Sequence, residues 1–238
     1  MTPVHALRPL IYATCLLGAI CLSTTAAKAS ISLVETATGY ASGATFANST
    51  SAGHLIVVLV QVPDTMVSVS DNKGNTYTLA DNYYGVTVSL YYLPNTESSA
   101  GITTITVSSQ HHTANGVVIA REYSGLSSNA PDVYTHAIMP DYATAYASGS
   151  TSTTNYPSEL VIGWGIQDQV SFPSGLPTWT LGTGFGDLVS VVSHRTNGPA
   201  NAGIAMEDMM VSTAGTQAAT FTVTSSFEQG VSGVATFH

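Results

Sequence analysis

Beyond its N-terminal apolar stretch, this chain never sustains the 3.6-residue apolar period of a surface helix. What recurs is a short run rich in Val, Ile, Thr and Tyr, closed by Gly, Asn, Asp, Ser or Pro. That pattern leaves strands and turns as the building units. In the first half it predicts strands at Ile31–Thr38, His54–Val62, Met66–Ser70, Thr76–Ala80, Val86–Leu93, Thr103–Ser109 and Gly116–Ser124. In the second half it predicts Val133–Ile138, Glu159–Gln167, Thr178–Leu181, Leu188–His194, Ala202–Val211, Ala218–Thr224 and Val231–Phe237. The fold class read from this is all-β.

Two kinds of strand are present. In one, apolar and hydroxyl residues alternate: Ile105 and Val107 against Thr104, Thr106 and Ser108, and Phe221 and Val223 against Thr220, Thr222 and Thr224. Such a strand has one dry and one wet face. In the other, both faces are apolar, as in Leu55–Val60 and Val117–Ala120. Those strands belong in the middle, covered on both sides. Two packed antiparallel sheets supply both environments, so a β-sandwich is expected.

The chain also repeats itself loosely. Thr76-Tyr77-Thr78-Leu79 returns as Thr178-Trp179-Thr180-Leu181, and Thr106-Val107-Ser108-Ser109 as Thr222-Val223-Thr224-Ser225. The change of offset between these pairs places an insertion near Ala202–Val211. A jelly-roll-like, two-sheet sandwich built of two repeated halves, about 30–140 and 141–238, is expected as one domain over 30–238. Two similar sandwiches in tandem are the alternative. Tyr77 and Trp179 are then expected at equivalent places lining one shared core. Ala143–Thr154 between the halves reads equally as a linker or as a polar strand.

The first 29 residues read as a signal peptide. Arg8 precedes an apolar run, Pro9–Leu22, which is shorter than the roughly 20 residues of a membrane span. Ala27 and Ala29 are the small residues a signal peptidase needs before Ser30. Both cysteines, Cys15 and Cys21, fall in that leader. The mature chain would be cysteine-free, which removes thiol catalysis and cysteine metal sites. Its strong bases are Lys73, Arg121 and Arg195, against 14 acids, a net charge of −11 with histidine neutral. Nucleic acid needs several phosphate-neutralising bases and is excluded as a partner. Stable membrane insertion is not expected either, because doubly apolar strands do not suit the polar lumen of a membrane barrel.

Several motifs appear in a fixed order: Gly53-His54-Leu55-Ile56-Val57-Val58, Asp71-Asn72-Lys73-Gly74-Asn75-Thr76-Tyr77-Thr78-Leu79, Glu122-Tyr123-Ser124-Gly125-Leu126, Glu159-Leu160-Val161-Ile162-Gly163 and Glu207-Asp208-Met209-Met210-Val211. In that order the chain resembles a diffuse group of bacterial exported β-sandwich modules. The resemblance implies the fold and an exported setting. It brings no assigned activity and no catalytic residue. His54 stands where the group has Asn, and Met209-Met210 where it has a basic residue.

Candidate chemistry is sparse. Asp71–Asn75 carries oxygen ligands at alternate positions, with the alternative of a plain hairpin turn. His111-His112 is the sharpest pair of potential metal ligands, but adjacent strand residues point to opposite faces. His54, His136 and His194 are scattered. Asp168, Asp187, Glu207 and Asp208 are the acids from which a glycosidase pair could be drawn. No Gly-x-Ser-x-Gly elbow occurs. No catalytic residue, metal ligand or cofactor is therefore expected. Tyr83 and Tyr84, in a turn after Ala80-Asp81-Asn82, are the candidate ligand-contact residues, offering ring faces to a sugar.

The function expected from these readings is a non-catalytic, secreted β-sandwich acting as a cell-surface, matrix or adhesion component. A carbohydrate-binding module is the alternative, and a secreted hydrolase stands behind it. The partners to be tested are an extracellular glycan, another surface protein or a second copy of the chain. The strand at Ile31–Thr38, next to the cleavage site, is the candidate edge for pairing with another chain.

Overall fold

The computed structural model describes residues 30–40, 42–64, 67–110, 116–127, 130–170, 177–193, 201–224 and 229–238. The leader, 1–29, lies outside them. Eight strands form the first half: β1 (Ser32–Tyr40), β2 (Gly43–Thr45), β3 (Leu55–Gln61), β4 (Val67–Asp71), β5 (Thr78–Tyr83), β6 (Val88–Leu93), β7 (Thr104–Ser109) and β8 (Val117–Ser124). Eight more form the second: β9 (Tyr134–Met139), β10 (Ala145–Ala147), β11 (Glu159–Val170), β12 (Trp179–Thr180), β13 (Gly186–Val192), β14 (Asn201–Val211), β15 (Thr220–Val223) and β16 (Gln229–Phe237). All pairings are antiparallel. β10 is the strand hidden in the low-complexity Ala143–Thr154.

The repeat is complete at the level of topology. The first half is one sheet of order β4-β7-β2-β1-β8-β3-β6-β5. The second half has orders β12-β15-β10 and β9-β16-β11-β14-β13, each strand standing where its first-half counterpart stands. Registers align the residues. Leu55 pairs with Tyr123 as Leu160 pairs with Phe237, and Val57 with Tyr92 as Ile162 with Asp208. The extra residues of the second half find a place in β14, which is longer than its counterpart β6.

The sandwich is layered twice. A central core joins the halves: Leu55, Val57, Leu59 and Ile119 of one meet Leu160, Ile162, Trp164 and Phe237 of the other. An outer core fills the first half, where Ile56 and Val58 meet Phe46, Ile105 and Val107. A third fills the second half, where Val161 and Val234 meet Trp179, Phe221 and Val223. This explains the doubly apolar strands. Every residue of β3 is buried, odd positions inward and even positions outward. Each large apolar side chain so buried contributes roughly 1.5–3 kcal/mol.

One sequence expectation is corrected here. Tyr77 and Trp179 do not share one core; Tyr77 lies in the outer core of the first half and Trp179 in that of the second. By register the counterpart of Trp179, which pairs with Val223, is Val69, which pairs with Val107. β1 pairs with β8 along its length but with β2 only at Gly39 and Tyr40, so over Ser32–Thr38 its other side carries no strand among the described residues.

Glycine decides why one half is a single curled sheet and the other is split. β1 turns into β2 at Gly39 and Gly43, where a Cβ on Gly39 would stand 1.9 Å from the Gly43 carbonyl oxygen and Gly43 has φ +134°. Only glycines permit that approach. The register counterparts are Ala137 and Ala145, and there the chain leaves the sheet through Pro140.

The halves also trade volume. Leu59 and Ile119 become Trp164 and Gly233, and a Cβ on Gly233 would stand 2.1 Å from the Trp164 ring. Val60 and Val69 become Gly165 and Trp179, 2.8 Å apart on the same measure. Two medium side chains are exchanged for one large and one absent, keeping the packed volume.

Polar contacts lock the halves in register. Arg121, fully buried on β8, donates from Nη1 to Asp208 Oδ2 of β14 at 3.0 Å, and its Nη2 donates to the Asp187 carbonyl. The Tyr123 hydroxyl donates to the same Asp208 oxygen at 2.7 Å. At the other end of the central core the counterparts are Ala235, Phe237 and Tyr92, an apolar set whose rings meet edge-on at 6.0 Å. That end has its own ion pair, His136 Nδ1 of β9 at 3.0 Å from Asp81 Oδ1 of β5. Burial raises the carboxyl pKa of both Asp81 and Asp208, against the pull of their basic partners.

Arg121→Ala should cost about 3–5 kcal/mol in chemical denaturation, because it leaves Asp208 buried and unpaired. The triple change Arg121→Ala, Tyr123→Phe, Asp208→Tyr, which copies the apolar end, should recover most of that loss. Gly233→Ala should cost about 1–3 kcal/mol through collision with Trp164. Trp164→Leu should cost less in that background than alone, as read by a double-mutant cycle.

Candidate functional site

The turn after β5 takes its form from one extra residue. β5 and β6 stay in register at Leu79–Tyr91, skip Ala80, and resume at Asp81–Leu90. This bulge turns two consecutive residues, Ala80 and Asp81, inward. The alternation that follows sends Asp81 and Tyr83 to the central core and Asn82 and Tyr84 to the outer face. The two candidate tyrosines therefore part company. Tyr83 packs on the central core with its ring 5.7 Å from His136 and is a structural residue. Tyr84 is 63% exposed.

Tyr84 stands on the rim of a cleft of about 310 Å³ at the open end of the first half's outer core. Leu79 and Asn82 of β5 and Ser89 and Tyr91 of β6 continue the same wall, with Asp64 and Val67 opposite. The Tyr91 hydroxyl donates to the Val67 carbonyl at 2.6 Å, which closes the floor. Thr87, also on the wall, has φ +52°, a conformation costly for a β-branched residue. Its Oγ1 is buried and makes no hydrogen bond. Backbone bonds hold it there: its amide donates to the Tyr84 carbonyl, and its carbonyl accepts from Val62, both at 3.3 Å. Sequence reasoning singled out Tyr83 and Tyr84 and passed over Asn82, Thr87 and Ser89 as candidates, because only the bulge and the turn bring these to the side of Tyr84.

A larger cleft of about 430 Å³ lies between the start of β1 and the turn at Gly184–Asp187. Two carboxylates line it: Asp208, which is engaged by Arg121 and Tyr123, and the exposed Asp187, whose backbone carbonyl accepts from Arg121 Nη2. It is a seam of the fold.

The remaining candidates are accounted for by structure. In Asp71–Asn75 the carboxylate is taken by the chain itself: Lys73 and Asn75 amides donate to Oδ1, and Asn75 Nδ2 and the Tyr77 hydroxyl to Oδ2. Asn72 Oδ1 accepts from Thr103 and Thr104. This is the turn reading, with Gly74 at φ +81°. His54 Nδ1 lies 2.6 Å from Glu122 Oε1, which also accepts from the Ser51 amide. At the counterpart positions the second half carries Glu159 against Thr236. The carboxylate has changed strands and kept its place. His111-His112, His194 and the Asp168 side chain lie outside the described residues. Among the described residues no group of three or more His, Cys, Asp and Glu is placed to hold a metal ion.

Glu207 and Asp208 are both buried, on opposite faces of β14. Asp208 faces the central core. Glu207 faces the outer one, where the Gly182 amide donates to Oε2 at 2.8 Å and Oε1 makes no hydrogen bond. Two carboxylates on opposite faces of one strand cannot flank one glycosidic bond. Comparison of the chain with family models, with curated proteins and with solved structures gave no match. The site rests on its own geometry.

Burial pushes the Glu207 carboxyl up to about 7 from 4.5, the Gly182 amide pulling the other way. The folded protein therefore holds this proton more tightly than the unfolded chain does. The stability it contributes is complete below about pH 4.5 and is lost as pH rises through about 7. Glu207→Gln, which keeps an acceptor for Gly182 and cannot ionise, should stabilise the protein above pH 7 by about 1–3 kcal/mol. Its effect should shrink towards pH 4.5, as read from denaturation midpoints across that range.

Proposed function

We propose that this is an exported, non-catalytic β-sandwich protein that works by contact, as a cell-surface, matrix or adhesion component. The observation that carries the reading is what the buried acids and bases do. Arg121, Asp208 and Tyr123 bind one another across the central core, as do His136 and Asp81, and Glu122 is held by His54 and the Ser51 amide. The groups from which an acid–base site could be drawn are thus engaged in holding layers together. Glu207 remains, alone on its face. The likeness of the turn motifs to exported modules, and the leader-like first 29 residues, support the exported setting.

Carbohydrate binding is the second reading, favoured by the exposed Tyr84 over a polar-walled cleft. A hydrolase needs two converging carboxylates free to act; Glu207 and Asp208 diverge, and Asp208, which shares a cleft with Asp187, is engaged by Arg121 and Tyr123.

The exported protein should begin at Ser30 or a neighbour by intact mass, and should turn over no member of a broad panel of chromogenic glycosides and esters. A mature chain beginning at Met1 would overturn the exported part. Sustained turnover by the purified protein, absent from a mock purification, would overturn the non-catalytic part.

A further inference from the structure

We propose that the cleft beside Tyr84 binds a neutral pyranose ring, with the Tyr84 ring as platform. The proposal rests on the contact reading and names what that contact is with.

The volume, about 310 Å³, is at the lower end of the roughly 300–1,000 Å³ of small-molecule sites. A single sugar ring matches that scale. Sugars offer two surfaces, an apolar patch of C–H bonds and a belt of hydroxyls, and a site for them must answer both. Tyr84 and Leu79, both exposed, answer the first. Asn82 and Ser89 answer the second from the same wall, the Ser89 hydroxyl also meeting Tyr91. The Asn82 side-chain amide makes no hydrogen bond among the described residues, and it can both donate and accept. Thr87 shapes the wall through its backbone, held by the Tyr84 carbonyl and the Val62 amide.

Charge narrows the ligand class. Among the described residues no Lys, Arg or His lines the cleft. With a mature net charge of −11, a uronate or a phosphorylated glycan would be repelled, whereas a neutral ring would not. A lipid chain is a poor match for a wall carrying an amide and two hydroxyls.

The test uses the mature chain Ser30–His238 in titration calorimetry. The probes are neutral hexaoses of β-1,4-glucan, α-1,4-glucan, β-1,4-xylan and β-1,4-mannan, the methyl glycosides of the same sugars, and acidic hexagalacturonate. Saturable binding to at least one neutral probe is expected, and none to hexagalacturonate. Tyr84→Ala should weaken binding roughly tenfold or more, and Asn82→Ala should weaken it by a smaller factor. Tyr142→Ala, an equally exposed tyrosine of the second half, should leave it unchanged. A hexaose bound more tightly than its methyl glycoside assigns the site to the interior of a chain; equal affinity assigns it to a terminal ring. Either result supports the proposal. No saturation by any neutral probe up to about 1 mM, preference for hexagalacturonate, or binding that survives Tyr84→Ala with the variant's melting temperature intact, overturns it. Those failures leave the contact reading standing. Hydrolysis of a bound hexaose would remove that reading while keeping the site.

Discussion

Burial of both faces of β3 and β8, and of their counterparts β11 and β16, is the constraint on which the rest of this structure depends. A strand that is apolar on one side only can end a layer. One that is apolar on both must have a layer above and below. Leu55–Val60 and Val117–Ala120 meet that demand only if each half forms its own outer core and the two halves then share a third. Four layers of sheet follow from two strands per half.

Repetition of one topology creates a problem of pairing. Two similar apolar faces can slide or turn against each other with little change in energy, because area burial is not directional. The central core resolves this with unlike ends. Arg121, Tyr123 and Asp208 stand at one end, where the other has Ala235, Phe237 and Tyr92, and His136 and Asp81 answer from that other end. Arg121 and Asp81 each have their partner in the opposite half, so any slipped arrangement would leave a buried charge unpaired at a cost of several kcal/mol. Such groups add less to net stability than to the choice of one arrangement over its neighbours.

The same economy shapes the candidate site. A single bulge residue, Ala80, separates two adjacent tyrosines by function, sending Tyr83 to hold the halves and Tyr84 to the rim of a cleft. The feature that makes the site is therefore an interruption of the strand pattern. The left-handed backbone of Thr87 belongs to the same turn.

What the sequence determined by itself was most of the strands, though not the short β2 and with β10 left open, their antiparallel packing in a sandwich and the presence of a repeat. All of these are carried by local residue preference and by a period of two, which act within a few neighbours. It also gave Tyr84, because an aromatic in a turn is exposed by its position. Only the tertiary structure decided that the repeat extends to every strand, and that Trp179 answers to Val69 rather than to Tyr77. It alone decided that Glu207 and Asp208 face different cores, and that Asn82, Thr87 and Ser89 join Tyr84. These depend on which strand lies beside which, and on one skipped residue that reverses the alternation after it. Register is set by contacts between residues distant in the chain, and no local pattern records them.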